Sequence, residues 1–296
     1  MSDLHYYNPA WIEKIGKTIK TDICIYGATS AGIIAAIRAR LLGKDVALLH
    51  PGKFIGGLTT GGLGLTDYGR KHVIGGLARE FYRLVGQHYK KEEEFHFEPR
   101  VASQVYQQML HEAGQDVILC QYLKDVETSA GKITAITTLS DLRVEAKVFI
   151  DATYEGDLMA KAGVSYTTGR EGNDVYGETL NGVQVLNKHQ FSHPVDPYVK
   201  KGDPSSGLLP FVDAEDRTQQ IGKGDHRIQA YCFRMCMTDD PTLIIPWEKP
   251  EQFNPLLYVL AERIDWPAFD AAIDACYAEE LGRPGVNTRL MVGLLY

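Results

Sequence analysis

The sequence predicts an α/β fold organised around a parallel β-sheet, and three observations support this. Residues 21–26 (TDICIY) form a short apolar run, which a glycine-containing turn and an Ala/Ile-rich stretch follow as far as Leu42. Gly43 and Lys44 then make a turn before a second apolar run at residues 45–49 (DVALL). Strand, glycine turn, helix and strand within about thirty residues is the order of a Rossmann βαβ unit.

The turn after the first strand has the pattern Gly-x-Thr-x-x-Gly, with Gly27, Thr29 and Gly32 at the defining positions. Gly27 permits the tight turn, and Gly32 lets the helix lie close to the strands. The helix N-terminus offers N–H groups and a positive dipole to a pyrophosphate, and the hydroxyl of Thr29 or Ser30 is a further candidate donor. The turn therefore predicts a dinucleotide site; the alternative is an ordinary βα turn without a ligand.

His50 follows the second strand, at the position where a dinucleotide-binding unit usually has an acidic residue for the ribose hydroxyls. A neutral imidazole donates or accepts one hydrogen bond at each nitrogen but cannot replace a carboxylate with two acceptor oxygens. Pro51 and Gly52 come next. We therefore expect weaker recognition of the ribose than of the pyrophosphate; the alternative is that His50 is a solvent-facing loop residue.

A second glycine cluster occupies residues 56–69, which read GGLTTGGLGLTDYG. Such a segment leaves little side chain to obstruct a large planar ligand, so that backbone N–H groups and threonine hydroxyls become the donors. A flexible linker is the alternative, but a linker is ordinarily richer in Ser and charge and lacks the repeated Leu. A plain NAD(P)-binding domain has no use for a second glycine-rich loop here. The glycines are Gly56, Gly57, Gly61, Gly62 and Gly64, and the threonines are Thr59, Thr60 and Thr66.

The two glycine motifs together resemble the glutathione-reductase type of FAD-binding fold. More narrowly, the chain resembles the bacterial FAD-dependent oxidoreductase family that carries a loose xanthan-lyase-like label. Polysaccharide lyases do not need a dinucleotide-binding βαβ unit, so we exclude lyase activity. The resemblance covers about residues 20–245, and its most specific motif is IDATYEGD. Beyond the glycine motifs, the stretches that carry it are 74–81 (IGGLAREF), 97–101 (FEPRV), 149–157 (FIDATYEGD) and 224–238 (GDHRIQAYCFRMCMT).

The resemblance implies noncovalent FAD, with its pyrophosphate over the first glycine turn and its isoalloxazine ring toward the second glycine cluster. A returning strand ends in small residues, so we expect Ala152 and Thr153 to contact the adenosine part. Asp157 is either a cofactor contact or the N-cap of the next helix. The predicted cofactor-binding residues are Gly27, Ala28, Thr29, Ser30, Ala31, Gly32, His50, Pro51, Gly52, Gly56, Gly57, Leu58, Thr59, Thr60, Gly61, Gly62, Leu63, Gly64, Leu123, Ala152, Thr153 and Asp157.

The domain organisation predicted from the sequence is a leader over residues 1–19, the first part of a Rossmann-like FAD-binding domain over 20–165, and an inserted substrate or cap domain over 166–296. Beyond residue 166 turn residues become frequent and the periodicity weakens. Within that part, residues 225–238 read most clearly as a strand, and 250–278 read as two helical pieces. Nothing after Thr238 looks like the Gly-Asp segment that completes the resembled fold, so we expect either a fragment or a second chain that supplies the rest.

The middle of the chain predicts one amphipathic helix and a β-meander. Residues 97–113 carry Pro99 in the first turn of the helix and a buried stripe of apolar residues. Strands are predicted at 116–119, 123–127, 133–139, 142–146 and 147–150, of which the second, third and fourth form the meander and the last returns to the main sheet. The stripe consists of Val101, Val105, Met109 and Leu110.

Composition restricts the partners and the compartment. The formal net charge of -7 argues against general affinity for nucleic acid or anionic membranes. The chain shows neither a secretory signal nor a run of about 18 apolar residues, so we expect a cytoplasmic protein. Five cysteines suggest reduced thiols, with Cys24 in a buried strand. Cys232 and Cys236 are expected to pack in the fold; the alternatives are a thiol pair or half of a metal site. No zinc or Walker motif occurs, so we expect no metal.

The function predicted from the sequence is an FAD-dependent oxidoreductase that acts on a small organic substrate, such as a carbohydrate, an alcohol or an amine. The alternative is a partial or noncatalytic FAD-binding subunit that a partner chain completes, and a homo-oligomer is also open. The flavin performs the redox chemistry, and the protein supplies a base or an electrostatic partner. No catalytic residue is identified by spacing; the candidate groups are Arg70, His72, Arg170, His226, Arg227 and Arg234.

Overall fold

A computed structural model describes residues 12–186, 194–209, 212, 215 and 217–228. These residues belong to two compact units, one ending at Tyr166 and the other beginning at Thr167. The expected helical pieces over 250–278, most of the expected strand over 225–238, and Arg234, Cys232 and Cys236 lie outside the described residues. Within the described part, no helix has both the length and the apolar content that crossing a membrane requires.

The first unit alternates strands and helices in the order expected for an α/β fold. It contains β1 (Thr18–Tyr26), α1 (Ser30–Leu41), β2 (Val46–Leu49), α2 (Gly76–His88), α3 (Pro99–Glu112), β3 (Val117–Ile118), β4 (Leu123–Ser129), β5 (Lys132–Thr138), β6 (Arg143–Asp151) and α4 (Asp157–Lys161). Two short 3₁₀ turns lie at Gly57–Thr59 and Lys71–Val73. In the second unit the described residues form α5 (Asn173–Tyr176), β7 (Tyr198–Lys200), β8 (Asp203–Leu208) and a 3₁₀ turn at Thr218–Gln220.

Six strands of the first unit form one sheet in the order β3-β2-β1-β6-β5-β4. β3, β2, β1 and β6 are parallel, whereas β5 and β4 continue the sheet as antiparallel strands. The predicted Rossmann-like α/β fold with a β-meander is confirmed. Because β1 lies between β2 and β6, its carboxyl end at Tyr26 is flanked by Leu49 on one side and Asp151 on the other.

The prediction of separate strands at 142–146 and 147–150 is wrong. The structure has one continuous strand, β6, from Arg143 to Asp151. Its first residues pair antiparallel with β5, while its whole length pairs parallel with β1, from Thr18 opposite Arg143 to Tyr26 opposite Asp151. The last strand of the meander and the returning strand are therefore the same element, because one strand has a different neighbour on each edge.

Helix α3 forms where the apolar positions recur at helical spacing, and Pro99 stands in its first turn as predicted. All four residues of the predicted stripe are buried: Val101, Val105, Met109 and Leu110. They join one core cluster with apolar residues of α1, α2 and β1. Burying each such side chain contributes about 1.5–3 kcal/mol, so this stripe holds α3 in place.

A second core cluster contains the apolar residues that β1, β2 and β6 share with the meander. Cys24 belongs to it and is fully buried, as the sequence predicted. Burial raises the pKa of the Cys24 thiol to about 12, so that the thiol stays protonated and unreactive at neutral pH. Together, the two clusters fix the strand ends that carry the two glycine-rich loops.

Candidate functional site

Three predicted segments meet at the carboxyl ends of β1 and β6. The N–H of Gly56 donates to the carbonyl of Ala28 at 2.7 Å, and Thr29 and Gly56 form an isolated parallel bridge. On the other side, the N–H of Ala152 donates to the carbonyl of Tyr26 at 2.8 Å. The turn at residues 27–32, the loop at 56–64 and the segment after β6 are therefore direct neighbours. We call these three segments together the cradle.

The two glycines of the first turn are required by close backbone packing. Gly27 has a φ of +107°, and a Cβ there would lie 2.7 Å from the carbonyl carbon of Ala152. A Cβ on Gly32 would lie 1.9 Å from the carbonyl oxygen of Gly27. A side chain at either position would force the backbone apart, which agrees with the roles that the sequence predicted for these glycines.

Thr29 is the N-cap of α1 and has a structural role of its own. Its Oγ1 accepts the N–H of Gly32 at 3.4 Å and donates to the carbonyl of Ala152 at 2.7 Å. Thr29 is only 5% exposed. Its hydroxyl, which we predicted as a candidate pyrophosphate donor, is thus engaged in bonds that hold α1 against the end of β6.

His50 supports the first glycine turn through a hydrogen bond with its backbone. The residue is half-buried, its Nδ1 accepts the N–H of Ala28 at 3.1 Å, and its ring also bonds the backbone of Phe54. Burial lowers the pKa of His50 below its ordinary 6.5, and the bond to Phe54 and the charge of Glu155 offset this only in part. His50 is therefore a neutral, bonded residue and not the solvent-facing loop residue that the sequence left open.

The second glycine cluster is a folded loop, so the flexible-linker alternative is wrong. It contains the 3₁₀ turn Gly57–Thr59, and the N–H groups of Gly61 and Leu63 both donate to the carbonyl of Leu58 at 3.2 Å. The Thr60 hydroxyl donates to the carbonyls of Ile55 and Gly57. At the far end, the carbonyl of Gly64 accepts the N–H of Phe97 at 2.8 Å. Hydrogen bonds within the loop fold it, and the bonds at Gly56 and Gly64 attach its two ends to neighbouring segments.

The segment after β6 is organised by Asp151. Its Oδ1 accepts the N–H and the hydroxyl of Thr153 at 3.0 and 2.6 Å, and its Oδ2 accepts the N–H of Met159 at 2.9 Å. The predicted N-cap at Asp157 is wrong: Gly156 occupies the N-cap position with a φ of 72°, and Asp157 is the first helical residue. The carboxylate that accepts a first-turn N–H of α4 comes from eight residues earlier in the chain.

The sequence analysis missed two tyrosines that bond the cradle, Tyr154 in the segment after β6 and Tyr106 on α3. The hydroxyl of Tyr154 accepts the N–H of Leu58 at 2.9 Å. Tyr106 is buried on α3, where its ring stacks on Phe81 with 4.5 Å between centroids. Its hydroxyl bonds the side chains of Thr59 and Ser30, and burial raises the pKa of Tyr106 to about 12. Tyr106 lies three positions before Met109 and four before Leu110, so the helical period offered a signal; Tyr154 lies within the IDATYEGD motif, which assigned it no individual role.

Leu123 contributes to the fold in this structure. Its side chain is 6% exposed and packs in the second core cluster. Its N–H donates to the hydroxyl of Tyr26 at 2.9 Å, which joins the start of the meander to the end of β1.

A groove of ≈ 540 Å³ opens beside the cradle, between residues 53–61 and the outer face of α3.

The described candidate chemical groups belong to both units of the chain. Arg70 and His72 are exposed at the 3₁₀ turn Lys71–Val73 in the first unit. In the second unit, the guanidinium of Arg170 forms two hydrogen bonds with Asp225, one from Nε at 2.9 Å. This pairing lowers the pKa of Asp225 to about 2. Arg170 is thus neutralised by its neighbour, while His226 and Arg227 beside that pair are exposed.

The fold and the cradle define the class of protein. A parallel sheet whose first glycine turn opens a helix, with a second glycine loop bonded to that turn, is the arrangement of a dinucleotide-binding flavoprotein. The profile of the family described as FAD dependent oxidoreductase matches residues 22–284. The chain belongs to this family of enzymes, and its cofactor is FAD.

Solved structures are similar over part of the chain. L-proline dehydrogenase from P. horikoshii is 12% identical with a TM-score of 0.40, and the match covers 53% of this chain and 59% of that one. Bacillithiol disulfide reductase from Staphylococcus aureus is 21% identical with a TM-score of 0.35, covering 53% and 43%. The chain thus spans about half the length of these proteins. No curated protein matches it.

Proposed function

We propose that this chain binds FAD in the cradle and oxidises or reduces a small organic substrate, such as a carbohydrate, an alcohol or an amine. The observation that carries the proposal is the hydrogen bond from the Gly56 N–H to the Ala28 carbonyl. Together with the Thr29–Gly56 bridge, it brings a second glycine-rich loop to the N-terminus of α1. When bound, FAD supplies the redox chemistry; the chain binds it, orients it and positions the substrate.

The start of α1 is the proposed pyrophosphate site. The N–H groups of Ser30 and Ala31 open the helix and, as in any helix, have no acceptor within it. The N–H of Gly32 is taken by Thr29. Ser30 and Ala31 therefore remain as backbone donors, and the dipole of α1 adds to their attraction for an anion. The glycines of residues 56–64 then allow the rest of the cofactor to approach the backbone.

The proposed substrate position is the groove beside the loop at 56–64. Its volume of ≈ 540 Å³ suits a small organic molecule. Gly57, Thr60 and Gly61 line one side, and Arg100 and Ser103 of α3 line the other. A ligand there would lie against the loop that we assign to the flavin ring. Arg100 is paired with Glu98 at 3.5 Å, so it presents a charged pair and not a free cation to this groove.

The visible absorption spectrum of the purified full chain tests the proposal. We expect flavin bands and, after denaturation, release of FAD rather than FMN, identified by mass. Bleaching of the bands by sugars, alcohols or amines without oxygen then identifies the substrate class. A colourless chain that takes up neither added FAD nor FAD supplied during refolding would overturn the proposal. Uptake of NADP in place of FAD would favour the pyridine-nucleotide alternative.

A further inference from the structure

Tyr154 joins two parts of the cradle that are distant in sequence. The residue follows the end of β6 by three positions, and its hydroxyl accepts the N–H of Leu58 at 2.9 Å. A Cβ on Gly57 would lie 2.2 Å from the same hydroxyl oxygen and 2.9 Å from the ring carbon that bears it. The phenol end of Tyr154 therefore lies directly on the backbone of the Gly57–Thr59 turn. A side chain at position 57 would displace the phenol, and the φ of +59° there independently favours glycine.

Two further links hold the turn from outside its loop: the Gly56 N–H donates to the Ala28 carbonyl, and the Tyr106 hydroxyl bonds the Thr59 side chain. The remaining bonds lie within the loop. The carbonyl of Leu58 accepts the N–H groups of Gly61 and Leu63, and Thr60 bonds the carbonyl of Gly57. These bonds set the shape of the turn but not its position relative to β6. The bond from the Leu58 N–H to Tyr154 spans 96 positions in the sequence and ties the turn to the end of the strand.

The exposure of Tyr154 separates this role from general stability. The residue is 58% exposed and belongs to neither buried core cluster. Removing its hydroxyl therefore leaves the packed core of the unit in place. The change removes only the hydrogen bond that restrains the Gly57–Thr59 turn next to the proposed FAD site.

We propose that Tyr154 is a positioning residue for FAD, whose phenol holds the Gly57–Thr59 turn at the end of β6 so that the second glycine loop stays at the cofactor site. The inference rests on the proposed function, since it concerns the same cradle. It assigns a role to a side chain that no glycine motif predicts, and it makes the Tyr154 phenol a neighbour that any side chain at position 57 would displace.

The first test compares Tyr154→Phe with Tyr166→Phe in the full chain. Tyr166 is a matched control because it lies in the same unit and is 57% exposed. Tyr154→Phe should weaken FAD binding about two- to tenfold, the loss expected for one hydrogen bond, and alter the visible circular dichroism of the bound flavin. Tyr166→Phe should match the unchanged chain in both. A Tyr154→Phe chain with unaltered affinity and spectrum would overturn the inference while leaving the proposed function intact; an unchanged chain that binds no FAD would overturn both.

A second test measures the coupling between Gly57 and Tyr154. Gly57→Ala should reduce FAD affinity, because the new methyl group displaces the Tyr154 hydroxyl and because a φ of +59° is strained for alanine. Adding Tyr154→Ala removes the collision, so the double variant should bind FAD more tightly than Gly57→Ala alone. Losses that simply add would show that Tyr154 does not act through this turn. Because the comparison is between two variants, it holds even if Tyr154→Phe lowers the melting temperature.

Discussion

The hydroxyl of Thr29 donates a hydrogen bond to the backbone carbonyl of Ala152, with 2.7 Å between the two oxygens. The two residues lie 123 positions apart, one at the N-terminus of α1 and the other after the end of β6. Threonine stands here in place of the middle glycine of a dinucleotide motif. The structure explains the exchange, since the side chain caps α1 and binds the neighbouring strand end at the same time.

Replacing Thr29 by Val tests this link, because Val keeps the shape of the side chain and removes the hydroxyl. The carbonyl of Ala152 then loses its donor in a buried site, and we expect the free energy of unfolding to fall by about 1–3 kcal/mol. Thr29→Ser keeps the hydroxyl and is the control; its free energy of unfolding should fall by less. Urea denaturation measures both. Equal stability of Thr29→Val and the unchanged chain would contradict the assignment.

Gly32→Ala should disrupt the first turn. The added methyl group would lie 1.9 Å from the Gly27 carbonyl oxygen. Moving that backbone should reduce stability by about 1–3 kcal/mol and weaken FAD binding about tenfold or more. Gly75→Ala is the matched control, because it has extended backbone with a φ of -139° and nothing within 4 Å of a Cβ. Titration with FAD and thermal unfolding give the two quantities, and similar losses in both variants would refute the packing argument.

Asp151 and Asp157 should differ in their contribution to stability. Asp151→Ala removes the acceptor of the Thr153 and Met159 N–H groups, and we expect a loss of about 1–3 kcal/mol. Asp157→Ala removes only a favourable charge in the first turn of α4, which is worth about 0.3–1 kcal/mol. Chemical denaturation at neutral pH compares them. The reverse order would restore Asp157 as the capping residue.

His50 should make the stability of the first unit sensitive to pH. Burial lowers the pKa of His50 below 6.5, so the unfolded chain binds a proton more readily than the folded chain. The stability contributed by neutral His50 is complete above pH 6.5 and is lost as the pH falls through the lower folded value. Asp22 and Asp141 have pKa values below their ordinary 3.8 and titrate outside this window.

The check is a series of unfolding curves between pH 7 and pH 5, read for the unchanged chain and for His50→Gln. Glutamine keeps an acceptor for the Ala28 N–H but does not titrate, so its curve should be flatter. His72→Gln, at an exposed position, should retain the slope of the unchanged chain. Parallel curves for all three chains would exclude His50 as the source.

Local patterns predicted much of the fold correctly. The order of β1, glycine turn, α1 and β2 follows from apolar runs separated by glycine, and the buried stripe of α3 follows from the helical period. The break proposed inside residues 142–150 failed, because polar residues such as Glu145 and Lys147 interrupt an apolar pattern on a strand that has partners on both edges. No local pattern contains that information. The predicted cap at Asp157 failed similarly, since the carboxylate that accepts the Met159 N–H belongs to Asp151, six residues before Asp157.

The sequence by itself determined that this chain has two glycine-rich loops, that one of them opens a helix after a strand, and that together they resemble an FAD site. Those features depend on residue types a few positions apart, which act through backbone freedom and helix periodicity. Only the tertiary structure decided which groups hold the loops together. The bonds of Thr29 to Ala152, His50 to Ala28 and Tyr154 to Leu58 join segments 22 to 123 positions apart. Such contacts exist only because the parallel pairing of β1 with β2 and β6 brings those segments to one edge of the sheet.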